Sequence, residues 1–150
     1  FGGKLPISPN ARIGIAVSEW NEEVTFSLLE GAKGLLTQAS VPISNITVTF
    51  VPGSFELVLA SQKLAQRDDI DAVIAIGCVI QGETKHFDFI CQAVANGIAN
   101  INLKYDKPVI FGVLTPNNQQ QALDRAGGKH GNKGKEAAYT ALRMIEELNY

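Results

Sequence analysis

The chain is poor in the residues that carry covalent and metal chemistry: it has two cysteines, two histidines and one tryptophan among 150 residues. Cys78 falls in an apolar strand-like run and Cys91 in the helical pattern after it, so both read as buried thiols of a reducing compartment and not as a disulfide framework. His86 and His130 stand at no metal-ligand spacing with either cysteine, which leaves no metal cluster to expect and no cofactor. Excess charge of one sign is also missing. The formal net charge of −2 offers no electrostatic case for nucleic acid or an anionic membrane, a local basic patch aside. No apolar run approaches the roughly 20 residues of a membrane span. The opening Phe1-Gly2-Gly3 lacks both a signal-peptide pattern and a starting methionine. A cytoplasmic protein is expected, while a truncated start with a targeting segment ahead of it stays open. There is no internal repeat, no low-complexity linker and no phosphate-loop or dinucleotide fingerprint.

What is present suits one domain with one substantial core, at 45% apolar and 19% charged residues. The organising stretch is residues 71–101. Within it residues 72–80, AVIAIGCVI, are apolar on both faces, as a central parallel strand covered by helices on either side must be. Gln81-Gly82-Glu83-Thr84 is a polar turn, after which Phe87, Ile90, Cys91, Val94, Ala95, Ile98 and Ile101 recur at helical spacing. A helix that starts just after such a turn presents unpaired N–H groups and its positive dipole end. Residues 82–85 are therefore a candidate anion seat, with Thr84 able to cap it. His86 falls in the first helical turn at the strand's carboxyl end, where open α/β sheets place ligands, and an imidazole can take or give a proton near neutral pH. The plainer alternative, Thr84 as a cap only and His86 as a surface histidine, stays open on these residues alone.

Residues 1–11, with Gly2, Gly3, Pro6 and Pro9, read as an extended arm and not a core element, ahead of a single domain over residues 12–150. Residues 12–17, RIGIAV, form a first strand, and residues 22–39 a helix with Val24, Leu28, Leu35 and Leu36 on its apolar stripe and Asn21 as its N-cap. Trp20 is left in the loop between them, either folded down as a core lid or free as a ring-stacking platform. Residues 46–51, ITVTFV, are a second, β-branched strand. Pro52-Gly53-Ser54 turns into a helix over residues 55–66, with Leu57, Ala60 and Leu64 inward and Glu56 either a surface acid or a holder of a hydroxyl-rich ligand. Residues 108–115, PVIFGVLT, are a fourth strand that opens with proline. A short helix over 119–126, a glycine-rich basic loop over 127–134 and a closing helix over 136–148 follow. Arg125, Lys129 and Lys133 suit a phosphate, or belong to a flexible solvated connector.

Four strands alternating with helices imply an α/β fold, a three-layer α/β/α sandwich on a four-stranded parallel sheet. The expected strand order is the flavodoxin-like 2-1-3-4. All four carboxyl ends then gather on one rim, with Trp20 after the first strand, residues 54–56 after the second, residues 82–86 after the third and Asn117 after the fourth.

Five blocks in order and in register make the sequence specific: Trp20-Asn21, VPGSFE over 51–56, IGCVIQGETKHFDFI over 76–90, PVIFGVLT over 108–115, and QALDRAGGKHGNKG over 121–134. Together they resemble the lumazine synthase family, over residues 12–148 or nearly the whole chain. The resemblance implies condensation of 5-amino-6-ribitylaminouracil with 3,4-dihydroxy-2-butanone 4-phosphate to give 6,7-dimethyl-8-ribityllumazine, phosphate and water. It also implies roles at the matching positions. Trp20, where the family often has phenylalanine, stacks on the pyrimidine; Ser54, Phe55 and Glu56 hold the ribityl chain; Cys78, Val79 and Ile80 border the uracil. Glu83 and Thr84 meet the phosphate through helix-start amides, and His86 is the catalytic proton-transfer residue. Phe111 and Arg125 match positions that close the pocket from an adjacent subunit, Arg125 on the phosphate with Lys133 as a helper. Lys85 and Glu83 occupy variable places in the family's GxTxH turn.

No cofactor is implied. Members of the family are pentamers or icosahedral shells of pentamers, and the compact loop over 127–134 lacks the insertion associated with those that stop at the pentamer. A shell is therefore expected, with residues 1–10 along a neighbouring copy. Two readings from other classes remain: a flavodoxin-like carrier that binds flavin or another ribityl-bearing ring without turnover, and a shell protein without catalysis. A phospho-receiver fits poorly, because Ser18-Glu19-Trp20 supplies no acidic cluster after the first strand.

Overall fold

Alternation along the apolar strands divides the core into two layers, because successive side chains of a strand point to opposite faces of its sheet. The structure, a computed structural model, describes residues 3–148. The chain runs β1 (Ile13–Ser18), α1 (Glu22–Gln38), a 3-10 turn (Ile43–Asn45), β2 (Ile46–Val51), α2 (Leu57–Ala65), β3 (Ala72–Cys78) and α3 (His86–Tyr105). It continues through β4 (Val109–Leu114), α4 (Gln119–Asp124), β5 (Ala126–Gly128), β6 (Gly131–Asn132) and α5 (Lys133–Leu148). The first four strands form one parallel sheet in the order β2-β1-β3-β4. This is the order expected.

Every residue of β1 and β3 is buried, which is why both read as continuous apolar runs. Ile13, Ile15 and Val17 of β1, with Ile74 and Ile76 of β3, pack under Leu28, Leu36 and Leu142 of α1 and α5. On the opposite face Ala16, Val73 and Ala75 meet Leu57 and Leu64 of α2 and Val94 and Ile98 of α3. Each fully buried Ile or Leu contributes about 1.5–3 kcal/mol, so the two central strands anchor the molecule and leave their carboxyl ends to the loops. Asn102 of α3 fastens the edge strand: it donates to the Val109 carbonyl at 3.0 Å and accepts from the Val109 N–H at 2.8 Å.

Several expectations are corrected. Residues 3–10 carry no helix or strand, yet they are held to the domain: Pro6 is buried, Leu5 packs half-buried against the α1/α5 layer, and the Ser8 N–H donates to the Ala39 carbonyl at 2.7 Å. The rest of the expected arm, Phe1 and Gly2, lies outside the described residues. Cys91 is half-buried where full burial was expected. Ala95, placed on the apolar stripe of α3, is exposed. The loop over 127–134 is no loose connector: β5 and β6 pair as a small antiparallel hairpin that leads straight into α5.

Just past the hairpin, the first turn of α5 carries a glycine for a steric reason. A Cβ at Gly134 would run into the Leu28 carbonyl oxygen of α1, so only glycine lets the first turn of α5 lie against the α1 backbone.

Candidate active site

The sheet register brings the strand ends flush. Ser18 pairs with Val51, Gly77 with Val113 and Cys78 with Leu114. The loops beyond are then laced together by backbone bonds, from Glu19 N–H to the Val51 carbonyl at 2.7 Å and from Trp20 N–H to the Pro52 carbonyl at 3.0 Å. Val79 N–H donates to the Leu114 carbonyl at 2.8 Å and Gln81 N–H to the Pro116 carbonyl at 3.0 Å. The resulting rim is where an open parallel sheet places a ligand.

Trp20 is 53% exposed on this rim, which removes the core-lid alternative and leaves the indole face free. Phe55 and Glu56 are exposed as well. Ser54 is different: at 7% exposure its hydroxyl turns inward and donates to the Cys78 carbonyl in a long 3.5 Å contact. Gly77 makes room for it, since a Cβ there would come 2.7 Å from Ser54 Oγ and 2.8 Å from Leu57 Cδ1. Burial pushes the Cys78 thiol up to about 11, the N–H of the Asn21 side chain opposing this in part. At neutral pH it is an uncharged wall and no nucleophile. Val79 and Ile80 are half-buried beside it.

The turn over residues 81–85 is exposed throughout, and α3 begins at His86, itself exposed. Thr84 Oγ1 accepts from the His86 N–H at 3.3 Å, which places a hydroxyl at the start of a 20-residue helix. The exposed Glu83 side chain stands next to it in the chain. This end of α3 offers N–H groups, a positive dipole end and an imidazole in one place.

A second group forms around β4. A cavity of about 920 Å³ is lined by Phe111, Arg125, Lys129, His130 and Lys133, with the acids Asp124 and Glu136. None of the ion pairs among the described residues involves Arg125, Lys129 or Lys133. Three cations without a carboxylate partner, on a cavity that also takes in Asp124 and Glu136, suit an anion. All of the lining comes from β4 onward, so it includes none of Trp20, Glu56 or His86. Within a single chain, therefore, Phe111, Arg125 and Lys133 line a cavity that takes in neither Trp20 nor His86 of the rim loops. Among the described residues no three His, Cys, Asp or Glu side chains gather as a metal site would need, and no helix is long and apolar enough to cross a membrane.

Sequence reasoning missed two structural partners here. Asn21, expected as the N-cap of α1, stands at that position with φ 61 and ψ 52 and makes no side-chain cap; it bonds instead to Gln119, 98 residues away. Asn132 caps α5 by accepting from the Lys135 N–H at 3.0 Å and donates to the Ser27 carbonyl at 3.1 Å. Asn132 ahead of an apolar-periodic helix was a findable signal. Gln119 had none.

Comparison with known proteins meets this geometry. The family model for 6,7-dimethyl-8-ribityllumazine synthase matches residues 10–149. The protein of that name from Cytophaga hutchinsonii is 58% identical over 147 residues, covering 98% of this chain and 92% of its own length. Its namesake from Porphyromonas gingivalis is 55% identical, covering 93% of this chain and 87% of its own. The one from Flavobacterium johnsoniae is 54% identical, covering 93% and 74% respectively. Likeness of this extent, on the expected sheet, means that the chain belongs to the 6,7-dimethyl-8-ribityllumazine synthase family.

Proposed function

We propose that this chain is a transferase of riboflavin biosynthesis that condenses 5-amino-6-(D-ribitylamino)uracil with 3,4-dihydroxy-2-butanone 4-phosphate to 6,7-dimethyl-8-ribityllumazine, phosphate and water. The family match over residues 10–149 is the observation that carries this reading. In the reaction the 5-amino group attacks the ketone and water leaves as a Schiff base forms. A proton and phosphate are then lost, and the ribityl-bearing nitrogen closes the ring with loss of a second water. Electrons are neither gained nor lost overall, so the chemistry asks for positioning, proton transfer and anion stabilisation, and for no cofactor.

The residues supply these in kind. Trp20 presents a ring to stack on the pyrimidine, and Cys78, Val79 and Ile80 form the wall beside it. Glu56 takes ribityl hydroxyls with Phe55 at the flank, while Ser54, its hydroxyl turned inward, contributes through its backbone. The amides of Glu83 and Thr84, with Arg125 and Lys133, receive the phosphate. His86 moves protons between the amine, the Schiff base and the leaving group.

A cavity that takes in Phe111, Arg125 and Lys133 but neither Trp20 nor His86 supports a site completed between copies of the chain, with Phe111, Arg125 and Lys133 of one facing Trp20 and His86 of the next. Exposed Phe50, Phe55, Leu59 and Phe89 support such packing, because large apolar side chains left in water gain by being covered. We read the assembly as a pentamer and, from the compact hairpin at residues 126–132, as an icosahedral shell of pentamers. Residues 12–150 act as one catalytic domain and residues 1–11 as an arm. A reducing, cytoplasmic setting suits Cys78, under the α1/α5 layer, and Cys91, on α3 across the sheet. Mixing the purified protein with both substrates should produce lumazine fluorescence, and light scattering on the same sample should report a particle far larger than one chain. Assembly without fluorescence would overturn the enzymatic reading in favour of a carrier or a bare shell.

A further inference from the structure

The loop that carries Trp20 is held from two sides. On the β2 side the Glu19 and Trp20 N–H groups donate to the Val51 and Pro52 carbonyls. On the other side the Asn21 carboxamide crosses the end of β3. Its Nδ2–H lies 3.7 Å from Cys78 Sγ and donates to Gln119 Oε1 at 2.8 Å, and Gln119 Nε2–H returns a bond to Asn21 Oδ1 at 2.9 Å. β1 and β4 are not neighbours, since β3 lies between them. The amide pair therefore ties together two loops that no strand ladder joins.

The tie has a local cost that the rest of the fold must cover. Asn21 stands at the N-cap position of the 17-residue α1 but gives its side chain to Gln119 and not to the helix, and its backbone is held in the left-handed region. Asparagine tolerates that region better than most residues. With both polar atoms of Asn21 engaged in a part-buried site, neither its side chain nor the backbone it shares with Trp20 is free to wander.

We propose that Gln119 is a positioning residue. Through Asn21 it fixes the Trp20 ring at the mouth of the site before the ring-bearing substrate arrives, so that ordering the platform is not charged against binding. This inference rests on the function proposed above for its substrate, but the ordering of Trp20 can be measured without any substrate.

Trp20 is the only tryptophan, so selectively excited emission of the assembled protein reports on this loop alone. Gln119→Leu removes both bonds at similar bulk, whereas Gln119→Glu keeps an acceptor for Asn21 Nδ2–H and loses the donor. In Gln119→Leu the anisotropy of Trp20 should fall and its quenching by acrylamide should rise. KM for the aminouracil should increase about fivefold, the worth of one net hydrogen bond, with kcat within about twofold of wild type. Gln119→Glu should lie between, and it carries the same measurements if Gln119→Leu does not fold. Wild-type anisotropy and quenching in the folded variants would overturn the proposal. So would a loosened ring with an unchanged KM, or a KM increase confined to the phosphorylated ketone. If the wild type makes no lumazine, the function fails while the fluorescence comparison still decides whether Gln119 orders Trp20.

Discussion

Two glycine-containing connectors suit an anion, and they are built in opposite ways. The hairpin over residues 126–132 is braced at both ends: His130 N–H donates to the Asp124 carbonyl at 2.7 Å, Lys133 N–H to the Arg125 carbonyl at 2.8 Å, and Asn132 bonds to Ser27 and Lys135. Gly131, at φ 84, makes its turn. The turn over residues 81–85 is tied at its start, Gln81 N–H donating to the Pro116 carbonyl at 3.0 Å, and its one side-chain bond among the described residues runs from the His86 N–H to Thr84 Oγ1. The difference follows from what each connector offers. Arg125 and Lys133 bear charge on long, rotamer-rich stems, and such charge is placed only if its base is rigid. At residues 82–86 the donors are backbone N–H groups, which a helix of 20 residues aims by its own geometry.

The largest expected effect lies on the open side. His86→Ala should slow lumazine formation by about 10²–10⁴-fold, the range of general acid–base catalysis, with aminouracil affinity, measured by calorimetry, nearly intact. A rate equal to wild type would show that the turn merely positions reactants.

On the braced side the first expectation is structural. Gly134→Ala places a methyl against the Leu28 carbonyl and should cost about 3 kcal/mol in chemical denaturation, the first turn of α5 losing its seat on α1. Unchanged stability would mean that α1 and α5 can part without penalty. Arg125→Ala should leave the fold alone and raise KM for the phosphorylated ketone about tenfold or more, as expected for one lost charge-assisted bond. A change confined to the aminouracil would break the assignment of the braced cations to phosphate. Asn132→Ala, which deletes the α5 cap, should cost about 1 kcal/mol, and double-mutant analysis with Ser27 variants should find no coupling because Asn132 meets only the Ser27 carbonyl.

The smallest expected effect is a control at the opposite, amino end of the sheet, where Arg12 Nη2–H donates to Asp71 Oδ1 at 2.8 Å. Burial pushes the Asp71 carboxyl up, but the Arg12 side chain and backbone N–H outweigh it and hold the group below its ordinary range. A depressed carboxyl stabilises the fold above its unfolded value and loses that contribution as pH falls through the folded one. Asp71→Asn should accordingly be slightly less stable than wild type at neutral pH, with the gap closing as pH drops below about 4 in thermal melts.

The parts of the fold legible in advance were those with local signals. β2 spans Ile46–Val51 as its β-branched run indicated, and β3 falls two residues short of its apolar run because Val79 and Ile80 continue past the sheet into the rim. The hairpin was not legible. Gly127, Gly128 and Gly131 read as looseness, whereas their order comes from Asn132 reaching α1 and from backbone bonds to Asp124 and Arg125. Trp20 was ambiguous for a related reason: a lone indole in a loop takes its exposure from what packs beside it.

Continuous apolar runs for strands and helical apolar patterns, with the turns between them, were enough to indicate a parallel α/β sheet and the rim where ligands bind, because each pattern involves residues close in sequence, while the strand order was expected from likeness to flavodoxin-like folds. Tertiary structure alone decided that Asn21 leaves α1 uncapped to meet Gln119, and that Arg125, Lys129 and Lys133 line one cavity with Phe111. Both outcomes depend on contacts that form only after the strands have aligned, between residues whose separation of up to 98 positions leaves no periodic trace in the chain.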